Sequence, residues 1–313
     1  MDKSEFYDFM LSVITDMERQ GRYSTAHVYH CALKSAVKYG GHSLHMEDLT
    51  PGWLQSYQEY LLKQSLLWNT ISTYMRMLRS IYNRGVDTHQ APYVHGLFRD
   101  VFTGVDTRQK KAIPIGELHM LLNKDPQSEK LRRTQAIANL LFQFCGMPFS
   151  DLAHLEKSNL KQGLLKYNRL KTGTPMSIEV LESAHNAIGG LYNKTDARSP
   201  DYPDYLFRIL SGAYKRDEEE AYREYQSALR RFNNDLKSLS RKLRISSSVT
   251  SYTLRHSWAT TAKYRGVPIE MISESLGHKS IKTTQIYLKG FELEERTKVN
   301  KLNYSYVCSF KMF

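Results

Sequence analysis

Between Tyr222 and Leu243 the apolar residues are Tyr222, Tyr225, Leu229, Phe232, Leu236, Leu239 and Leu243, stepping by three and four in turn. That spacing lines one side of an α-helix and cannot line one face of a strand, where side chains alternate. The stripe is shorter than four heptads, so it predicts a helix over Glu218 to Leu243 packed on a globular core, not an extended coiled coil. The same period governs the first hundred residues. Tyr29, Leu33, Val37 and Tyr39 form a stripe that stops at Gly40-Gly41. Thr50-Pro51 reads as a helix N-cap and first residue, followed by Trp53, Leu54, Tyr57, Tyr60 and Leu61. A further helix starts near Asn69 or Thr70 and runs through Ile71, Tyr74, Met75, Leu78, Ile81 and Tyr82 to Gly85. These predict an N-terminal bundle of about four helices.

Strand-like sequence is confined to one place. Leu164 to Leu170 and Met176 to Val180 read as two strands joined by Lys171-Thr172-Gly173-Thr174. Ala136 to Phe144 is an apolar helix ending at Gly146. The chain is therefore mainly α with a small antiparallel β-sheet. Val101 to Pro114 is short, polar and basic, which places a linker at 103–113 between a helical domain, 1–102, and an α+β domain, 114–313.

Charge bounds the partner. The 44 Lys and Arg exceed the 32 Asp and Glu by 12. Residues 1–111 hold 13 basic and 11 acidic side chains, so the remainder, with 31 against 21, carries most of the excess. Such an excess favours a polyanion, because each neutralised phosphate releases counterions. No run of about 18 apolar residues occurs and MDKSEFYDFM has no apolar core, so neither a membrane span nor a signal peptide is expected. Cys31, Cys145 and Cys308 are far apart, which fits a reducing cytoplasm. His27 and His30 have no further Cys or His at ligand spacing, so no zinc is expected.

Thr250 to Gly290 gathers Arg255, His256, His278, Thr283, Thr284 and Tyr287, with Ile272, Leu276 and Ile281 as core positions. Thr253-Leu254-Arg255-His256-Ser257-Trp258-Ala259-Thr260 resembles the LRHxxAT block of the tyrosine recombinase (phage integrase) family. Leu276-Gly277-His278 resembles its LGH block, and Thr283-Thr284-Gln285-Ile286-Tyr287 its TTxxY block, with His278 and Tyr287 nine positions apart as in the family. The bundle, linker and mixed second domain also match the family's layout of a SAM-like core-binding domain and a catalytic domain.

The resemblance implies a site-specific recombinase that cuts and rejoins DNA through a 3′-phosphotyrosyl intermediate. It implies Tyr287 as nucleophile, Arg255 as phosphate clamp, His278 as a phosphate ligand or proton-transfer aid, and Lys171 as the general acid of the β-hairpin. Elementary chemistry fits these roles. A covalent phosphoester stores the bond energy without ATP, and a phenol, with its pKa of about 10, is a better nucleophile and leaving group than an alkanol. Guanidinium groups hold non-bridging oxygens bidentately, and a lysine protonates the departing oxygen. No metal and no cofactor is required.

The sequence departs from the family at two points. Tyr252 stands where the family has a His three residues before the second Arg, and His256 is the adjacent alternative. Cys145-Gly146-Met147-Pro148-Phe149-Ser150-Asp151-Leu152 resembles the segment around the family's first catalytic Arg, yet Cys145 or Pro148 stands where that Arg is expected. Arg169 is the predicted replacement, pointing with Lys171 to one side of a strand. Arg132 and Arg133 are weaker because they precede the apolar helix. Asp151 is expected to support a cation.

The family layout implies double-stranded DNA as partner. Arg76, Arg79 and Arg84 in the first domain, and Arg230, Arg231, Lys237, Arg241 and Lys242 in the second, are candidate phosphate contacts. A homotetramer on paired sites is implied, with monomers or weak dimers off DNA and room for an accessory DNA-bending protein. The polar stretch to Asn300 and the tail with Tyr304, Tyr306, Val307 and Phe310 would dock on a neighbouring protomer. The GMPF-type first block is similar to integrases of bacterial mobile elements and invertible promoters, which implies a cytoplasmic, nucleoid-associated protein. A type IB topoisomerase-like enzyme and a catalytically impaired DNA-binding protein of the same fold are the alternatives.

Overall fold

The computed structural model describes residues 6–106, 112–288 and 293–309. The chain divides into two compact units, residues 1–108 with 214–224, and residues 109–213 with 225–313. Residues 107–111 of the expected linker lie outside the described residues.

Among the described residues up to 106, the first unit has four α-helices, α1 (Phe6–Arg19), α2 (Tyr23–Gly40), α3 (Pro51–Lys63) and α4 (Trp68–Asp87). Their boundaries follow local chemistry. Gly41, at φ +85°, stops α2 where a side chain would be strained. The Thr50 hydroxyl accepts from Trp53 N at 3.2 Å and caps α3 ahead of Pro51. One apolar face from each helix meets in the core: Phe6, Met10 and Ile14; Ala32 and Leu33; Leu54, Tyr57 and Leu61; Ile71, Met75 and Leu78. The buried Tyr57 hydroxyl is satisfied by Ser35 Oγ at 2.8 Å.

The second unit begins with α5 (Ile115–Asn123), α6 (Glu129–Gln143) and α7 (Phe149–Ala153). It continues through β1 (Leu160–Lys161), β2 (Leu164–Asn168), β3 (Pro175–Glu179) and α8 (His185–Leu191). The strands form an antiparallel sheet of order β1-β2-β3, with Leu164 opposite Glu179 and Asn168 opposite Pro175. Then come α9 (Glu219–Lys242), α10 (Ser251–Tyr264), α11 (Ile269–Ser275), α12 (Ile281–Tyr287) and α13 (Leu293–Ser309). Leu140 and Leu141 of α6, Leu165 and Ile178 of the sheet, Phe232, Leu236 and Leu239 of α9, and Leu254 of α10 share one core. Ala259, Ile272 and Leu276 form a small separate cluster that Trp258 and Leu288 flank. No helix among the described residues is long and apolar enough to cross a membrane.

Three expectations change. Residues 214–224 group with the first unit, where the Tyr222 ring stacks on Tyr23 at 6.0 Å, so the first apolar position of the α9 stripe packs outside the second unit's core. Helix α6 starts seven residues before Ala136, so Arg132 and Arg133 lie within it and do not precede it. The stretch after the nucleophile candidate does not end at Asn300 in a tail. It continues as α13 to Ser309, since no Gly or Pro interrupts it, with Leu302 and Tyr304 exposed. Residues 289–292 and 310–313, including Phe310, lie outside the described residues, as do the side chains of Tyr306 and Val307.

Candidate active site

The site is built where α10, the β2–β3 turn and the α11–α12 loop meet. Thr250 opens α10 with a reciprocal cap: its hydroxyl accepts from Thr253 N at 3.2 Å and Thr253 Oγ1 accepts from Thr250 N at 2.8 Å. This sets the phase of the helix and turns Arg255, only 3% exposed, inward. Arg255 Nη1 donates to the Gly146 carbonyl at 2.9 Å, and Nη2 reaches the Leu276 carbonyl at 2.5 Å and His278 Nε2 at 3.1 Å.

Arg169 arrives at the same carbonyl. Its Nη1 donates to Leu276 O at 2.5 Å and Gly277 O at 3.3 Å, while its Nε donates to Asp151 Oδ2 at 2.8 Å. The expected strand ends at Asn168, so Arg169 begins a turn closed by Arg169 N to Thr174 O (2.9 Å) and Gly173 N to Arg169 O (2.8 Å). Two-residue alternation does not apply inside a turn. Arg169 is buried and Lys171 is exposed, so they do not point together as the strand reading predicted. Asp151, 2% exposed, matches the buried charge of Arg169 with a buried charge of opposite sign. Gly277 makes the approach feasible: at φ +64°, a Cβ there would lie 2.7 Å from Met176 Sδ and 2.9 Å from Arg169 Cδ.

The first block supplies a carbonyl and no cation. Cys145 and Gly146 both adopt positive φ, +55° and +65°. The Gly146 backbone packs so closely that a Cβ would stand 3.2 Å from Arg255 Cα. Burial pushes the Cys145 thiol pKa up, against the opposing pull of Arg255.

His278 completes the group. Burial first, then the charges of Arg255 and Arg169, with smaller effects from His256 and Lys171, lower its pKa to about 4. The ring is neutral at pH 7. A guanidinium nitrogen only donates, so Nε2 is the acceptor and the ring proton sits on Nδ1, which donates to Thr284 Oγ1 at 2.9 Å. Thr284 is fully buried on α12, three residues before Tyr287, the last residue of that helix. The Tyr287 side chain lies outside what is described.

Tyr252 is 42% exposed and packs edge-on against the buried His256 ring, with centroids 4.7 Å apart. Arg132 pairs with Asp125 at 3.0 Å and Arg133 donates to the Arg208 carbonyl, so both are engaged elsewhere. Arg76, Arg79 and Arg84 are exposed on α4. Arg230, Arg231, Lys237, Arg241 and Lys242 are exposed on α9. Sequence reasoning missed the backbone acceptors Leu276 O and Gly146 O and the hydroxyl of Thr284. The positive-φ glycines of the CGM and LGH segments were the available signal.

A model of the phage integrase family matches residues 115–293, and one of the phage integrase SAM-like domain matches residues 5–93. A tyrosine recombinase of Thermosipho africanus is 24% identical over 74% of this chain and 76% of its own length. The tyrosine recombinase XerA of Pyrococcus furiosus is 30% identical, and the match spans 57% of each chain. Among solved structures, the Tn1549 transposon integrase in complex with a circular intermediate DNA superposes with a TM-score of 0.66 at 14% identity, covering 95% of this chain and all of that one. A lambda integrase tetramer bound to a Holliday junction gives 0.65 at 14%, covering 93% and 80%. At that identity the likeness is one of fold. Since the family match takes in more than half of its residues, the chain belongs to the phage integrase family, the tyrosine recombinases that cut and rejoin DNA.

Proposed function

We propose that this chain is a site-specific DNA recombinase whose site consists of Tyr287, Arg255, Arg169, His278 and Lys171. The observation that carries the reading is the convergence of two buried guanidiniums and a neutral imidazole beside the helix that ends on Tyr287. Two guanidiniums held by backbone acceptors and a carboxylate are preorganised for the non-bridging oxygens of a phosphate, where charge develops in the transition state. Arg169 takes the part of the cation absent from the first block.

The Tyr287 phenolate attacks phosphorus, the bond to the 5′ oxygen breaks, and Lys171 gives that oxygen its proton. A 3′-phosphotyrosyl link results, and attack by a 5′ hydroxyl from another strand reverses the step and regenerates Tyr287. With Nε2 turned to Arg255 and a pKa lowered to about 4, the His278 ring rests neutral and holds the clamp.

Residues 1–102 bind duplex DNA and 114–313 carry the chemistry, with the exposed cations of α4 and α9 against phosphates. Four copies assemble on two paired DNA sites, as lambda integrase does on a Holliday junction, with α13 of one copy packing on the next. The setting is the bacterial cytoplasm and nucleoid, and the reaction integration, excision or inversion of a mobile or invertible segment. An accessory DNA-bending protein fits such an assembly.

The test uses nicked suicide duplexes drawn from the DNA flanking the gene. A covalent adduct that disappears in Tyr287→Phe is expected, and Arg169→Ala is expected to slow its formation by about a hundredfold or more while leaving duplex binding nearly intact. Binding without any adduct identifies the impaired DNA-binding alternative, and adducts on arbitrary DNA identify the topoisomerase-like one.

A further inference from the structure

Helix α12 carries the nucleophile candidate at its C-terminal end, so the seat of this seven-residue helix decides where Tyr287 stands relative to the cations. Among the described residues, two contacts anchor it. Beyond Tyr287, Leu288 packs on the small cluster of Ala259, Ile272 and Leu276. Inside the helix, the fully buried Thr284 hydroxyl meets His278 Nδ1 at 2.9 Å. The apolar anchor has no direction, but the hydrogen bond has one. Arg255 fixes the proton of His278 on Nδ1, and a ring donating from Nδ1 needs an acceptor at that one place. Thr284 meets this need from the helix that bears Tyr287.

We propose that Thr284 is a positioning residue for strand cleavage, joining the helix of Tyr287 to the phosphate clamp through the chain Arg255–His278–Thr284. The proposal rests on the recombinase reading of Tyr287 and Arg255. Two consequences follow from the geometry. Thr284 precedes Tyr287 by three positions, less than one turn of the same short helix, so a shift of one moves the backbone of the other. The relay also ties the guanidinium to the nucleophile, so a phosphate that draws Arg255 toward itself draws on the seat of Tyr287.

The test compares the full chain with Thr284→Val, which keeps shape and loses the hydroxyl, and Thr284→Ser, which keeps the hydroxyl. On a nicked duplex that the native chain cleaves, Thr284→Val is expected to form the Tyr287 adduct about ten- to a hundredfold more slowly, as for a misplaced reactive group, with Thr284→Ser within about threefold of native. Duplex affinity should stay within about threefold in both, since the phosphate contacts are untouched. Native cleavage by Thr284→Val, equal loss in both variants, or a parallel fall in duplex affinity overturns the proposal. A second arm needs no activity: 15N-histidine spectra of the full chain at pH 7, with His278 assigned through His278→Gln. A neutral ring protonated on Nδ1, altered by Thr284→Val but not by Thr284→Ser, supports the relay, and a proton on Nε2 overturns it. A native chain that forms no Tyr287-dependent adduct breaks the recombinase reading, whereas a native adduct indifferent to Thr284→Val breaks only this proposal.

Discussion

The interiors of the two units differ in kind. Among the described residues of the first, the core is apolar apart from Ser72 and the hydroxyls of a few buried tyrosines such as Tyr57. In the second, Asp151, Arg169, Arg255, His256, Ser257, Thr260, Ser273 and Thr284 are all buried, and most of them cluster around α10 and the loop before α12. Burying a charge is costly unless it is paired and hydrogen-bonded. The first unit is therefore stabilised by burial and packing. The second accepts an expense at one place, offset there by Asp151, by backbone carbonyls and by the imidazole. A buried polar cluster in one unit beside a plain core in the other locates the site without any motif.

Substitutions can break or sharpen that contrast. The largest effect belongs to the buried ion pair. Asp151→Ala leaves Arg169 with an uncompensated charge and is expected to lose about 3–5 kcal/mol of stability, measured by urea unfolding; a loss below 1 kcal/mol would mean that the two units do not differ in this way. Next comes Gly277→Ala, which forces a Cβ toward Met176 and Arg169 at positive φ. About 1–3 kcal/mol is expected, together with slower adduct formation on nicked duplexes because Arg169 is displaced.

Acid gives the third test. The folded pKa of His278 is about 4 against about 6.5 unfolded, so the unfolded state binds the extra proton between those values. Stability from this group is complete above pH 6.5 and is lost as pH falls toward 4; the full shift would correspond to about 3 kcal/mol, and the ring's partial exposure to solvent reduces it to the order of 2 kcal/mol. His278→Gln should flatten that part of the pH–stability curve, whereas an unchanged slope would place the acid sensitivity elsewhere. The smallest effect lies in the first unit. Ser72 Oγ donates to the Gly104 carbonyl at 2.6 Å, and Ser72→Ala is expected to lose about 1 kcal/mol with no change in adduct formation.

Much of this was legible beforehand where the determinants are local. The stripes of α2, α4 and α9, the Thr50-Pro51 start, the Gly41 stop and the hairpin all follow from spacing and cap chemistry. The missed details are those without a local signal. Tyr222 sits in the α9 stripe by period, yet it stacks on Tyr23. Arg169 reads as a strand residue by composition, yet the turn begins there because Arg169 N pairs with Thr174 O. Thr284 was visible as a motif letter, but its partner is visible only in space.

The sequence by itself determined the helical character of both units, the single hairpin, the basic excess and the register of Arg255, His278 and Tyr287, because helix periodicity, capping and motif spacing act over a few residues. Tertiary structure decided that Arg169, one of several cations the sequence offered, meets Arg255 at a shared carbonyl, and it alone decided in what protonation state His278 rests. Arg169 is 107 residues from the Leu276 carbonyl that it shares with Arg255. The imidazole is neutral because burial and cations brought from distant segments act on it together. Desolvation and Coulomb forces depend on distance in space, and no spacing along the chain encodes that distance.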